Sequence, residues 1–365
     1  MKPLDGIRVV DLSRLLPGPM CSWYLAGLGA AVTTVESPDG DPLRVAEPVL
    51  ASGRGAWFDA LHAGKRSVCL NLKDREHKGA LHALLADADV LIEGSRPGVM
   101  ARLGFDPEDL LKRYPKLIVA SITGFGQTGP MRSRPGHDLG FQAVAGALSL
   151  AARLDETPPV PGVPLGDVGG GSLTVAMRIC AALFERSRTG RGCWIDGSMV
   201  EGTLAMIAPQ VAEMSATQEN PTPGGEMLTG GHAQYGVYRC SDGRSLAVAS
   251  LEPKFWSRLI DCVGENVEPT KESLAAVFRT RSRDDWADRL GDACCEPVLD
   301  LKELAQHPQL VARRALTERD GVLRVSHPVP GGDVSATRAS PSLGQHTHIE
   351  LARVGFDSSL LKENK

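Results

Sequence analysis

The sequence predicts an α/β protein: a doubly wound, Rossmann-like large domain joined to a smaller α+β domain. Three observations predict it. Strand patterns rich in β-branched residues alternate with helix patterns through the first 125 residues. A glycine-rich acidic turn then leads directly into a helix with an apolar stripe. Finally, residues 215–232 are polar and rich in Gly and Pro, which marks a linker before a hairpin-like unit with helices of its own.

The elements follow in order. Residues 7–12 (IRVVDL) read as a strand, then a Pro17-Gly18-Pro19 turn precedes a helix-like run, CSWYLAGLG. The runs at 31–36 (AVTTVE), 67–72 (SVCLNL), 89–93 (DVLIE) and 117–123 (LIVASIT) read as further strands. A helix pattern, EHKGALHALLADA, lies between the third and fourth. Asp106 caps a helix with Pro at its first position and acids in its first turn. Residues 172–185 are a helix candidate, with Leu173, Val175, Ala176, Ile179, Leu183 and Phe184 on its apolar stripe. A strand, CWIDGS, and one long helix pattern, VEGTLAMIAPQVAEM, follow. Beyond the linker, YGVYRC and SLAVAS flank Asp242-Gly243 as a hairpin. Short helices then run to about residue 315, one opened by a Ser282 capping box. GVLRVSHPV reads as a late strand and HTHIELARVG as a helix start.

Composition narrows the function. A chain of 365 residues exceeds what one core usually needs, so two domains are expected. Forty basic against 44 acidic residues leave a net charge of −4, too small a field for a nucleic-acid partner. An anionic ligand would need local cations. The eight cysteines form no C-x-x-C pair and read as reduced core thiols of a cytoplasmic protein. The N-terminus enters a strand pattern at once, without signal character. The apolar run SLTVAMRICAALF carries Arg178 and is too short to cross a bilayer, so no membrane partner is expected.

Several residues are candidates for chemistry. Gly124–Gly129 spells G-x-G-x-x-G after a strand, but Pro130 and Pro135 keep it from opening a helix, so no helix N-terminus awaits a pyrophosphate. His137 lies between loop signals and a helix-like run, and is either structural or functional. Asp167 sits in Gly166-Asp167-Val168-Gly169-Gly170-Gly171, where glycines let the backbone approach a ligand or take positive φ. It is either a helix cap or a carboxylate placed beside a developing oxyanion. Glu252, before Pro253, reads from its position alone as a first-turn acid. No metal-ligand spacing, G-x-S-x-G or P-loop occurs. His346 and His348 read as surface residues.

Taken together, PLDGIRVVDLSRLLPGPM, LNLKD, LIEGSRPGVMARLGF, SITGFGQTGP, PGHD, GDVGGGS, GCWIDGSMVEG and SLEPKFW resemble the family III CoA-transferase (CaiB/BaiF) superfamily, and within it the α-methylacyl-CoA racemases. The resemblance covers nearly the whole chain. It implies a racemase or epimerase of 2-methylacyl-CoA thioesters with His137 and Asp167 as its two bases and Glu252 supporting the imidazole. It implies CoA contacts at Leu70, Asn71, Leu72, Lys73, Gly94, Ser95, Arg96 and Arg102, and no metal or cofactor beyond the CoA moiety. Backbone N–H groups around Gly169–Gly171 would bind the thioester oxygen. The alternative is a CoA-transferase carrying the acyl group on Asp167 as an anhydride; the presence of His137 and Glu252 favours the racemase. The family usually has Arg after the acid ending the second strand. Here Ser37 follows Glu36, so a phosphate or base contact is absent or Arg44 supplies it. An interlocked homodimer is implied. The domains are expected at 1–214 completed by 316–365, with the linker at 215–232 and the small domain at 233–315. Met199, Met206, Met214 and Met227 are either core or a tolerant acyl surface.

Overall fold

A computed structural model describes residues 2–151, 153, 156–264, 267–327 and 339–361. The chain begins β1 Arg8–Asp11, α1 Pro17–Gly27, β2 Ala31–Glu36, α2 Ala56–His62, β3 Arg66–Cys69, α3 Arg75–Ala86 and β4 Val90–Glu93. It continues α4 Val99–Leu103, α5 Pro107–Arg113, β5 Ile118–Thr123, α6 Asp138–Val144 and α7 Ala147–Leu150. A π-helical turn, Gly166–Leu173, runs into α8 Thr174–Thr189, followed by β6 Trp194–Ser198, α9 Met199–Met206 and α10 Ala208–Thr217. The remainder is β7 Tyr235–Arg239, β8 Ser245–Ala249, α11 Pro253–Val263, α12 Lys271–Phe278, α13 Arg283–Leu290, β9 Cys295–Pro297, α14 Pro308–Ala312, β10 Leu316–Arg319, β11 Val322–Val325 and α15 Thr347–Arg353.

Contacts divide the chain into two units. The first holds residues 1–145, 163–206 and 308–365, the second 146–162 and 207–307. The expected division differs at three places: residues 146–162 and 207–214 fall in the second unit, and residues 308–315 in the first. The second shift has a local cause. The single helix expected over VEGTLAMIAPQVAEM is broken at Ile207, because Pro209 has no N–H for the ladder and instead sits in the first turn of α10.

The first unit is the doubly wound domain. Its six strands are parallel in the order β3-β2-β1-β4-β5-β6. Successive residues alternate faces. Val9, Ile92 and Ile118 therefore join one core with Cys21 and Leu25 of α1 and Val175 and Ile179 of α8. Val10, Leu91 and Val119 join the opposite core with Leu81 and Leu84 of α3 and Leu351 of α15. Each such side chain stabilises the fold by about 1.5–3 kcal/mol. The chain from Gly166 to Thr189 is one helix of 24 residues, long and apolar enough by length and composition to cross a membrane. The expected start at Ser172 made it too short. Val175, Ala176, Ile179, Ala182 and Leu183 bury one face of it in the sheet's core.

Local signals hold elsewhere. Asp106 caps α5 through Glu108 N–H at 3.0 Å, and Ser282 caps α13 through Asp285 N–H at 3.3 Å. The Pro17-Gly18-Pro19 turn is instead the first turn of α1, where prolines lose no ladder bond. His346 is not a plain surface residue: its Nδ1 accepts from Ser67 N–H at 3.1 Å. In the second unit β7, β8 and β9 form an antiparallel sheet over Leu246, Leu259, Phe278 and Trp286. All eight cysteines are free; Cys262 is exposed, whereas Cys21, Cys240 and Cys295 are core thiols.

Candidate active site

In a doubly wound sheet the loops leaving neighbouring strands diverge where the strand order reverses, and a crevice opens at the carboxyl ends there. Here that point lies between β1 and β4. A cleft of about 530 Å³ occupies it, a size typical of ligand sites. Its walls are the loops after β1 (Ser13–Gly18), β4 (Gly94–Pro97) and β5 (Gly124, Phe125), together with His137, Asp167 and Met199.

A buried polar network fixes the β1 wall. Asp11 accepts from Ser13 N–H at 2.9 Å and from the hydroxyls of Ser13 and Ser22. Lys65, whose side chain is fully buried, donates to Pro19 O and Ser22 Oγ at 2.7 Å and lies 4.0 Å from Asp11. Burial pulls its ammonium down to about 8, against the pull of Asp11. Gly18 is required here, since a Cβ would fall 2.0 Å from Ser13 Oγ.

The Asp167 wall is built by close packing. The glycines do not adopt positive φ, contrary to the expectation of a flexible turn; they form the π-helical turn. A Cβ on Gly169 would lie 2.4 Å from Met206 Cε, and one on Gly170 2.4 Å from Met199 O and Thr203 Oγ1. The glycines thus let this turn lie directly on α9. Inside a π turn each N–H points at a carbonyl five residues back, so the Gly170 and Gly171 amides are spent within the helix. Val168 N–H is held by Pro164 O at 2.9 Å. The expected oxyanion contact from these amides is therefore not available. Ser172 Oγ bridges the two walls, meeting Pro17 O at 2.7 Å and Asp167 O at 2.9 Å.

Asp167 and His137 come together through a residue the sequence reading passed over. His137 is the N-cap of α6 but makes no capping bond, so its imidazole is exposed on the cleft. The next residue, Asp138, accepts Asp167 N–H at 2.9 Å and Gln142 Nε2 at 2.6 Å. That bond ties the start of α6 to the acidic turn. Gly166 permits it: a Cβ there would lie 3.0 Å from Asp138 Oδ1. Its signal was the carboxylate beside His137 in a helix's first turn. Burial, and then the charge of Asp138, push the Asp167 carboxyl up to about 6, with His137 opposing them. A carboxylate near neutrality in a cleft is suited to proton transfer.

The other candidates are scattered. Gly94, Ser95 and Arg96 line the cleft. Leu70, Asn71, Leu72 and Lys73 follow β3, also at the carboxyl end. Leu70 is a core side chain whose N–H is held by Glu36 O at 2.8 Å, leaving a ligand only its carbonyl. Arg102 is exposed on α4. Arg44 does not stand in for the missing arginine: it is bidentate to buried Glu36 at 2.7 Å and stacks 4.0 Å over Phe58. Glu252 belongs to the second unit, as the exposed N-cap of α11. Met199 lines the cleft, Met206 packs over Gly169, and Met214 and Met227 lie in the second unit. Gly124–Gly129 ends in a turn, its Gln127 N–H held by Asp196 at 3.0 Å. Among the described residues no group of three or more His, Cys, Asp or Glu side chains is placed to hold a metal.

Comparison with known proteins gives this geometry its context. The model of CoA-transferase family III matches residues 4–347. An α-methylacyl-CoA racemase of Mus musculus is 37% identical over 97% of this chain and 93% of its own length. An acetyl-CoA:oxalate CoA-transferase of Acetobacter aceti is 34% identical over 90% of this chain and 88% of its own. The crystal structure of a CaiB/BaiF family protein from Brucella suis superposes with a TM-score of 0.86 at 30% identity, covering 97% of this chain and 99% of that one.

Proposed function

The chain belongs to CoA-transferase family III, and from that premise we propose that it is an enzyme inverting the α-carbon of 2-methylacyl-CoA thioesters by proton transfer between two bases. The observation that carries the reading is the placement of an imidazole and a raised-pKa carboxylate, His137 and Asp167, on one cleft at the switch point. The likeness to racemases at 37% identity supports it.

The α-hydrogen of a thioester is weakly acidic. Its removal needs a base on each face of the carbon and support for the enolate oxygen. In one direction Asp167 takes the proton and His137 returns one to the opposite face; in the other the roles exchange. Asp138, holding Asp167 by its N–H, sets the spacing of the pair. The amino end of the 24-residue helix lies at Asp167 and favours developing negative charge. No cofactor beyond the CoA moiety enters the scheme. The same reading takes the chain to act as a cytoplasmic homodimer, which sizing at micromolar concentration would test.

Exchange of the α-proton with deuterated water, followed on a chiral 2-methylacyl-CoA, tests the mechanism. The parent should exchange and racemise. Exchange undiminished in Asp167→Ala would end the proposal.

The oxalate-transferase relative favours one second reading. There the Asp167 carboxylate attacks the thioester carbonyl, the acyl–sulfur bond breaks, and CoA leaves as thiolate from an Asp167 anhydride. Hydroxylamine trapping at Asp167, together with transfer of CoA to an added carboxylic acid, would replace the racemase reading with this one.

A further inference from the structure

The carboxyl end of β5 carries a side chain that the proton-transfer scheme leaves unused. Alternate residues of a strand share a face, so Ser121 and Thr123 project the same way. Ser121 is fully engaged. Its Oγ accepts from Trp194 Nε1 at 3.0 Å and also meets Glu93, whose carboxylate takes Ser95 N–H at 2.7 Å. Thr123 is only 7% exposed, and its Oγ1 is buried without a hydrogen-bond partner. A buried hydroxyl left unpaired costs about 1–3 kcal/mol. Its residue, Thr123, is one of those that line the cleft.

We propose that the Thr123 hydroxyl is the partner of an amide in the pantetheine arm of the CoA thioester. The proposal rests on the acyl-CoA reading above and assigns one contact within it. The position across the cleft selects the amide. On one side lies the β4 loop: a Cβ on Gly94 would sit 3.7 Å from Ile122 O, and Arg96 follows two residues on. On the other side Phe141 packs against Gly124, next to Thr123, and against Gly166, next to Asp167. A Cβ on Gly124 would meet Phe141 Cε1 at 2.3 Å, and one on Gly166 would meet Phe141 Cβ at 3.3 Å. Thr123 thus shares one cleft with a cation suited to phosphate, Arg96, and with the carboxylate that handles the thioester, Asp167. The stretch of ligand between those two ends is the pantetheine arm. Its polar groups there are secondary amides, which offer a donor and an acceptor to a hydroxyl that is itself both.

The sign of two measurements tests this. Thr123→Val keeps the shape and removes the unpaired group, so the ligand-free variant should melt higher than the parent. It should bind coenzyme A about fivefold more weakly, the loss of one neutral hydrogen bond. Adenosine 3′,5′-bisphosphate, which lacks the arm, should bind parent and variant alike. Thr123→Ser keeps the hydroxyl and should bind coenzyme A within about twofold of the parent. Unchanged coenzyme A affinity in Thr123→Val overturns the proposal. So does an equal loss for the bisphosphate, or a lower melting temperature, which would make the hydroxyl structural. If the parent itself binds no coenzyme A, the acyl-CoA reading falls and this contact with it.

Discussion

At the amino end of the six-stranded sheet Arg8, Arg66, Arg186 and Arg353 each face a carboxylate. Arg8 meets Asp87 at 2.7 Å and Arg186 meets Asp89 at 2.8 Å, while Arg66 and Arg353 converge on buried Glu350. At the carboxyl end Arg14, Arg96, Arg132 and Arg134 line the cleft, and among the described residues none has an ion pair or a side-chain hydrogen bond. Beside them sit the unpaired Thr123 hydroxyl and an Asp167 carboxyl whose charge is opposed by burial and by Asp138. One sheet thus closes these arginines on carboxylates at its amino end, whereas at the carboxyl end Arg44–Glu36 and Lys65–Asp11 pair and the four cleft arginines stay open. The closed end serves the folded state; the open end is complementary to an anionic molecule that is not part of the chain.

That contrast can be broken from either end. The largest effect is expected at Asp167: Asp167→Ala should lower α-proton exchange more than about 10²-fold, as removal of a positioned base does, with the thermal midpoint held or raised. A loss of exchange accompanied by a collapse in stability would place Asp167 with the closed end instead. Glu350→Ala should do the reverse. Stripping the acid from Arg66, Arg353 and Thr33 should cost about 1–3 kcal/mol in denaturant unfolding while coenzyme A affinity stays put.

Arg96→Ala should weaken coenzyme A about fivefold and flatten the dependence of binding on salt, with little change in stability. A destabilised Arg96→Ala would show that this arginine is engaged after all. The smallest effect is one of pH. The folded-state pKa of Asp167 is raised above 3.8 to about 6, so the folded chain holds the proton more tightly than the unfolded one. Ionisation therefore costs stability as pH rises through that interval, and the cost is absent below it. Asp167→Asn should gain on the parent in thermal midpoint between pH 3.8 and about 6 and keep that gain above. A difference independent of pH would mean that the pKa is ordinary.

The two ends were not equally legible in the sequence. The strands could be read almost residue by residue, because β-branched runs bounded by Gly, Pro and Asp carry their signal locally. AVTTVE became β2 from Ala31 to Glu36, and DVLIE became β4 from Val90 to Glu93. His137 and Asp167 could be named because each stands in a short recognisable motif. What could not be read was non-local. The Asp138 bond spans 29 residues and the Ser172 bond to Pro17 spans 155. The meaning of Gly169–Gly171 depended on α9, which only packing brings against it, so glycines expected to be loose proved to be closely packed on that helix. Arg44 was offered to a phosphate because its commitment to Glu36, eight residues back, does not show in a linear string.

The π-helical turn also has a bearing on how this chain tolerates changes of length. In an α-helix each residue advances about 100° around the axis. Residues 166–173 run at the wider π spacing before α8 resumes the ordinary one. Deleting a single residue within that turn would let the whole segment relax into an unbroken α-helix. Everything upstream would then turn by only part of one residue's angle, because each π residue advances less than an α residue, but enough to shift Asp167 relative to His137 while α8 stayed seated on the sheet. The turn works as a phase lock: it sets the azimuth of one carboxylate independently of the helix that bears it. A homologous chain one residue shorter here would keep the fold and lose the alignment, so its length across Gly166–Leu173 foretells whether the pair can work together.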